Sequence, residues 1–345
     1  MTSDQKDVVG RGAGSNSLSS PLVHIGYHKT ATTWLQKELF SFGSSAFYPL
    51  CPTRLMSHAL QLPAKYMGQF FYRDEEGFLM SPFMSHEHIR ARVTKELATI
   101  CESGIPEGKM PVISNERLSG NPYNGAYDAK AIADSLFSVF PLAKVLIVVR
   151  EQEAMIMSMY FQYLRRCGTA DIQVFLCQPY DESHTLFSLD HLAYDQRVAY
   201  SQALFGEQNV LVLPYELFRA DPDTFLKRLS ALCGIPINVE EYPVERRHNE
   251  GRNHLVEGRF RWLNLFIQST SLNAYSPFYS KWSSFAARGL KHVLTRMTSR
   301  AREEAYIRNL REQIHEIVGN RYGRSNAALE SITGLDLASF GYSLD

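Results

Sequence analysis

The residues with the most chemical capacity occur in order along the chain. Near the start stand Gly26, Tyr27, His28, Lys29, Thr30, Ala31, Thr32 and Thr33. One ammonium and three hydroxyls in a tight loop, with successive backbone N–H groups and a helix start behind them, form a receptor for a phosphate-like anion. Arg150 closes an apolar run in mid-chain and suits direct pairing with a second phosphate. Between them Glu116 follows another short apolar run and is the leading candidate for a general base, with His28 and His58 as fallbacks. A salt bridge from Glu116 to Arg117 or Lys29 competes equally with the base role.

Regular elements must hold these groups. Residues 22–25 are an apolar run broken by Gly26, and Trp34, Leu35 and Leu39 follow at helical spacing, so the spacing predicts strand, loop and helix. Residues 110–113 give a second strand, and parallel strands ending at one edge would bring Glu116 near the loop. The strongest strand is 144–149, β-branched and expected to be buried on both faces, with Arg150 at its end. The helix after it, 152–165, carries Ser158 about two turns in. Residues 210–213 form a fourth strand, followed by a turn at 214–218 and a helix over 224–233. Helices are also expected over 86–100, 128–140, 171–177 and 189–205, and 255–345 reads as mostly helical. The aromatics Phe47, Tyr48, Tyr66, Phe70, Phe71 and Tyr72 fit either an acceptor-binding wall or core packing.

Composition narrows the classes. At 345 residues the chain can bury a full core, and 36 basic residues balance 36 acidic ones, so nothing in the total charge points to nucleic acid. Five cysteines with no C-x-x-C pair, together with His86 and His88 two apart on a helix, give no metal-ligand set. No stretch approaches the roughly 20 apolar residues of a membrane helix. Residues 1–20 are polar and Gly/Ser-rich, so a disordered tail ahead of one domain over 21–345, in a soluble cytoplasmic protein, is expected. Residues 288–311 hold clearly more Arg and Lys than acid, either as a solvated helix face or as a contact with an anionic glycan or membrane surface.

A nucleoside-triphosphate loop reads G-x-x-x-x-G-K-[ST], but Tyr27 and His28 stand where its second glycine belongs. The run Gly26-x-x-Lys29-Thr30-x-Thr32-Thr33 instead resembles the 5′-phosphosulfate loop of sulfotransferases that use 3′-phosphoadenosine 5′-phosphosulfate (PAPS). Arg150, Ser158 and Tyr160 match the spacing of that family's 3′-phosphate site, although Glu151-Gln152 stands where many members place Pro. Tyr215-Glu216, Asp221-Pro222 and Gly234-Ile235-Pro236 are also similar to the family, as is 320–342 to the tail of its bacterial carbohydrate-type branch.

The resemblance implies a P-loop-type three-layer α/β fold, a central and mostly parallel sheet flanked by helices, with a helical C-terminal extension. It implies PAPS as donor, held by Lys29, Thr30, Ala31, Thr32, Thr33, Arg150 and Ser158, with Tyr215 near the adenine and Arg247, Asn249 or Arg252 on a closing loop. Lys29 would neutralise the leaving phosphate without a metal ion, and the acceptor would be a hydroxyl on a glycan, glycolipid or small metabolite. Two other readings stay open: a kinase or NTPase with a degenerate phosphate loop, and a catalytically inactive nucleotide-binding or scaffold protein.

Overall fold

The computed structural model describes residues 20–50, 105–177, 187–244, 254–264 and 281–344. The expected tail, the helix at 86–100 with His86 and His88, the aromatics Tyr66, Phe70, Phe71 and Tyr72, and His58, Arg247, Asn249 and Arg252 lie outside the described residues.

Five strands form one sheet: β1 (Leu22–Gly26), β2 (Phe47–Pro49), β3 (Met110–Ser114), β4 (Lys144–Val149) and β5 (Val210–Pro214), in spatial order β2-β3-β1-β4-β5. All four pairings are parallel. In β4 alternate side chains serve two cores, as a sheet covered on both faces requires. Val145, Ile147 and Val149 pack with Met155, Ile156, Tyr194 and Val198, and Leu146 and Val148 pack with Trp34, Leu35, Phe225 and Leu229. The result is the P-loop-type three-layer architecture.

The first core is closed by helices spanning Gln152–Arg165, Tyr194–Phe205, Arg300–Val318 and Gly323–Thr333, the last two contributing Leu310, Ile314, Val318 and Leu329. The second is closed by the segment after β1 and by the helix Pro222–Cys233. That helix begins two residues earlier than the pattern suggested, because Asp221 caps it by accepting from Thr224 N at 2.9 Å and Pro222 fits the first turn.

Three local expectations change. A short strand, β2, emerges where no period was visible, and Phe47 is wholly buried in the second core, so it packs the core and forms no acceptor wall. Half-buried Tyr48 meets the Phe42 ring edge-on at 5.4 Å. The helix expected over 189–205 splits into a 3-10 turn, Leu189–Leu192, and the helix Tyr194–Phe205. Leu192 and Tyr194 are both buried, and two residues apart on one α-helix they would face nearly opposite ways. The turn expected after β5 is a short helix, Tyr215–Ala220, that buries Leu217.

Candidate functional site

The C-terminal ends of parallel strands bring the singled-out residues to one edge of the sheet. β1 runs into the loop 27–31, β3 into Glu116, β4 into Arg150 and β5 into Tyr215. The register pairs Gly26 with Val148 and Val149 with Pro214, so Arg150 emerges between the loop and Tyr215.

The loop is shaped by two non-glycine residues in the left-handed region, Lys29 at φ 68° and Ala31 at φ 59°. Alternating hands turn successive N–H groups inward to form an anion nest, at a cost of order 1–3 kcal/mol for each strained residue. The amides of Lys29 to Thr33 have no hydrogen-bond acceptor among the described residues. The hydroxyl of Thr30 donates to Tyr27 O at 2.5 Å and closes the loop, so it does not donate outward as the sequence suggested. Thr32 Oγ1 is buried without a partner among the described residues, and Thr33 is half-buried. Gly26 is required by space: a Cβ there would lie 2.5 Å from Thr32 Oγ1.

Behind the loop a single turn of α-helix, Thr32–Trp34, passes into a π-helical turn, Leu35–Leu39, closed by Phe40 N donating to Leu35 O at 2.6 Å. This is shorter and wider than the helix expected. The loop's own amides, more than a long helix dipole, therefore present the positive end to an anion.

The structure brings Lys29 and Arg150 together, 121 residues apart in the chain: Arg150 Nη1 donates to the Lys29 carbonyl at 3.1 Å. The guanidinium lies 4.9 Å from the Tyr215 ring centroid, within cation–π range, and its Nε is buried with no partner among the described residues. Tyr194 fixes this junction. Its hydroxyl donates to Arg150 O at 2.8 Å, and its ring meets Tyr27 edge-on at 4.8 Å. Buried Tyr27 thus ties the loop to the Arg150 strand end, which gives that position a packing role in place of a glycine. Ser158 is half-buried on the Gln152–Arg165 helix, and its hydroxyl makes no hydrogen bond among the described residues.

Lys29 is only half-buried, yet burial is the main cause that lowers its pKa to about 8. Arg165, Arg166 and Arg150 lower it further, while Glu116 opposes them. The ammonium therefore persists at neutral pH in a field short of anions. His28 is buried and pulled down to about 3, chiefly by burial and then by His191, Arg166, Arg117 and Lys29. Its Nε2 lies 3.9 Å from Glu116 Oε1, and its Nδ1 has no partner among the described residues. A neutral imidazole held so far down is a reluctant proton acceptor. Glu116, with its side chain 42 % exposed, is the member that reaches solvent. Arg117 pairs with Asp128 at 3.1 Å, so the nearest side chain expected to neutralise Glu116 is engaged elsewhere.

Several supports escaped the sequence reading. Glu151 caps the helix after Arg150, accepting from Glu153 N at 2.7 Å and Ala154 N at 2.8 Å, which is how the chain starts that helix without Pro. Glu216 Oε1 accepts from Glu151 N at 3.2 Å, and its Oε2 accepts from the Tyr342 hydroxyl at 3.1 Å. Gln152 Nε2 donates to Asn326 Oδ1 at 2.6 Å. The tail residues Asn326 and Tyr342 thereby brace the Arg150 end. Their polar types within 320–342 were the available signal, but their partners are not local.

A family model described as "Sulfotransferase family" matches residues 21–239. No curated protein matches the chain. Among solved structures, a sulfotransferase from Alicyclobacillus acidocaldarius is 16 % identical, over 71 % of this chain and 92 % of that one, with a TM-score of 0.45. A sulfotransferase domain from the curacin biosynthetic pathway is 13 % identical, over 66 % of this chain and 78 % of that one, at 0.38. A mouse sulfotransferase complexed with PAP is 16 % identical, over 88 % and 95 %, at 0.35.

Proposed function

The chain belongs to the sulfotransferase family, and from that premise we propose that it transfers a sulfuryl group from PAPS to a hydroxyl of a carbohydrate or glycolipid, as in the bacterial carbohydrate-type branch. The observation that carries the reading is the Arg150 to Lys29 contact at 3.1 Å, flanked by two buried polar atoms, Thr32 Oγ1 and Arg150 Nε, that lack partners among the described residues. Buried polar atoms left without a partner on the loop and on the neighbouring strand end fit a ligand that presents a phosphate to each.

PAPS, when bound, supplies the activated sulfuryl group. The amides of Lys29 to Thr33, with Thr32 and Thr33, hold its 5′ end, and Arg150 and Ser158 hold its 3′-phosphate. The family resemblance assigns Tyr215 to the adenine and Arg247 and Asn249 to the 3′-phosphate. Lys29 places its ammonium where negative charge grows on the leaving phosphate, a preorganised electrostatic role. Glu116 takes the proton of the attacking hydroxyl, and His28 stays neutral beside it. Arg150 occupies the strand end where a Mg²⁺-dependent hydrolase would need a carboxylate, and no step in this scheme calls for a metal ion.

The test is transfer of labelled sulfate from PAPS to an acceptor panel, compared between wild type and Lys29→Ala. Near-full turnover in the variant would overturn the mechanism. Thermal-shift titration separates the kinase reading: adenosine 3′,5′-bisphosphate should stabilise the protein more than Mg·ATP does. Mass spectrometry of glycans and lipids from a deletion strain, read for a lost sulfate, identifies the acceptor.

A further inference from the structure

The helix spanning Lys281–Met297 carries basic and apolar side chains and no acidic one. Between Lys281 and Arg302 the chain carries six Lys or Arg residues and no Asp or Glu. Large apolar side chains lie among them in solvent: Phe285 is 70 % exposed, Leu290 45 %, Val293 52 % and Met297 74 %. At 3.6 residues per turn these four positions fall within one arc of about 140°. The far side of the same helix is pinned to the protein, where Lys291 Nζ donates to Glu257 Oε2 at 2.8 Å and to Asn264 Oδ1 at 3.2 Å. Leu294 and Thr298, on that side, are half-buried. His292 and Arg296 are exposed along one flank of the apolar arc, and in the next helix Arg302 is exposed while Arg300 pairs with Glu304 at 2.9 Å.

We propose that this face seats on an anionic lipid bilayer surface, with Phe285, Leu290, Val293 and Met297 in the acyl boundary and the flanking arginines on lipid headgroups. An apolar stripe with basic residues along its flank is what an interfacial helix needs. A second copy of the chain would bring like charge against like charge. A polyanion without an apolar phase would leave the four side chains in water. The helix lies on the membrane and does not cross it: no helix among the described residues is long and apolar enough to span. The proposal goes beyond sulfuryl transfer and stands or falls separately from it, because its readout is vesicle binding.

The experiment is flotation of the full chain with vesicles of phosphatidylcholine alone or with about a third phosphatidylglycerol. The wild type should float with the anionic vesicles and lose them as ionic strength rises from about 0.1 M to about 1 M, where the Debye length shrinks from ~10 Å to ~3 Å. Phe285→Ser, Val293→Ser and Met297→Ser together should lower the bound fraction about tenfold with an unchanged thermal midpoint. Should that triple variant not fold, Arg296→Glu with Arg302→Glu provides the same test and should abolish the preference for anionic vesicles. Absence of wild-type flotation, or equal flotation of wild type and folded variants, overturns the proposal. So does a wild type that ignores vesicles and sediments as a dimer that the triple variant breaks.

Discussion

The β1 loop and the β4 strand end, neighbours at one edge of the sheet, are built differently. At the β1 end the groups facing an incoming anion are mainly backbone amides, held by a strained loop with Lys29 and Ala31 at positive φ and backed by buried neutral imidazoles. At the β4 end the work falls to one guanidinium, stacked on Tyr215 and framed by the carboxylates of Glu151 and Glu216, both raised by burial. Short of proline, a substitution leaves the backbone donors in place, whereas it can delete a side chain. The first end should therefore yield mainly to changes of its charge or its space, and the second to loss of a single residue.

The sharpest contrast is between Lys29 and Arg150. Lys29→Ala should cut turnover by about 10³-fold, the loss of a preorganised charge at the reacting bond, and weaken donor binding less than Arg150→Ala does. Arg150→Ala should weaken binding of adenosine 3′,5′-bisphosphate by roughly 10²-fold, as expected for truncating a partly buried phosphate partner. Calorimetric titration alongside initial rates checks both. Equal binding losses would erase the distinction between the two ends.

Acid should act on the β1 end. His24, His28 and His191, which packs 4.8 Å from the Tyr27 ring, are all pulled to about 3 by burial. Unfolded, they take up protons near 6.5, so below that pH the unfolded state binds more protons than the folded one. Stability should fall as pH drops from about 6.5 toward 3, by up to roughly 1.4 kcal/mol per pH unit for each histidine. A denaturation midpoint that stays flat between pH 7.5 and 5 would contradict this. Alkali acts on the same end through Lys29, protonated below its pKa of about 8. Transfer by the free enzyme should decline about tenfold per pH unit above that value in a pH profile of kcat/KM.

Smaller effects sharpen the comparison further. Gly26→Ala should cost about 1–3 kcal/mol, read as a lower thermal midpoint, because the added methyl meets Thr32 Oγ1 at 2.5 Å. Ser158→Ala should cost donor affinity only about fivefold, the scale of one hydrogen bond.

Much of this arrangement was legible before any coordinates. Apolar runs of four to six residues ending in Gly26, Arg150 and Tyr215 marked strands whose ends share an edge, and β4 is buried throughout after Lys144, as its β-branched run required. Strand β2 was hidden because three residues beside prolines carry no measurable period. The break at Ala193 was hidden because apolar spacing alone does not say that Leu192 and Tyr194 share one core.

The sequence by itself determined the loop's residue types, the strand ends and the basic, acid-free stretch from Lys281 to Arg302, since each is a pattern among near neighbours. Only the tertiary structure decided that Arg150 reaches the Lys29 carbonyl, that Glu216 is held by Tyr342 126 residues away, and that His28 is kept neutral beside Glu116. Those facts depend on the register of parallel strands and on burial. Both are set by packing between segments far apart in the chain, where no local spacing carries the information.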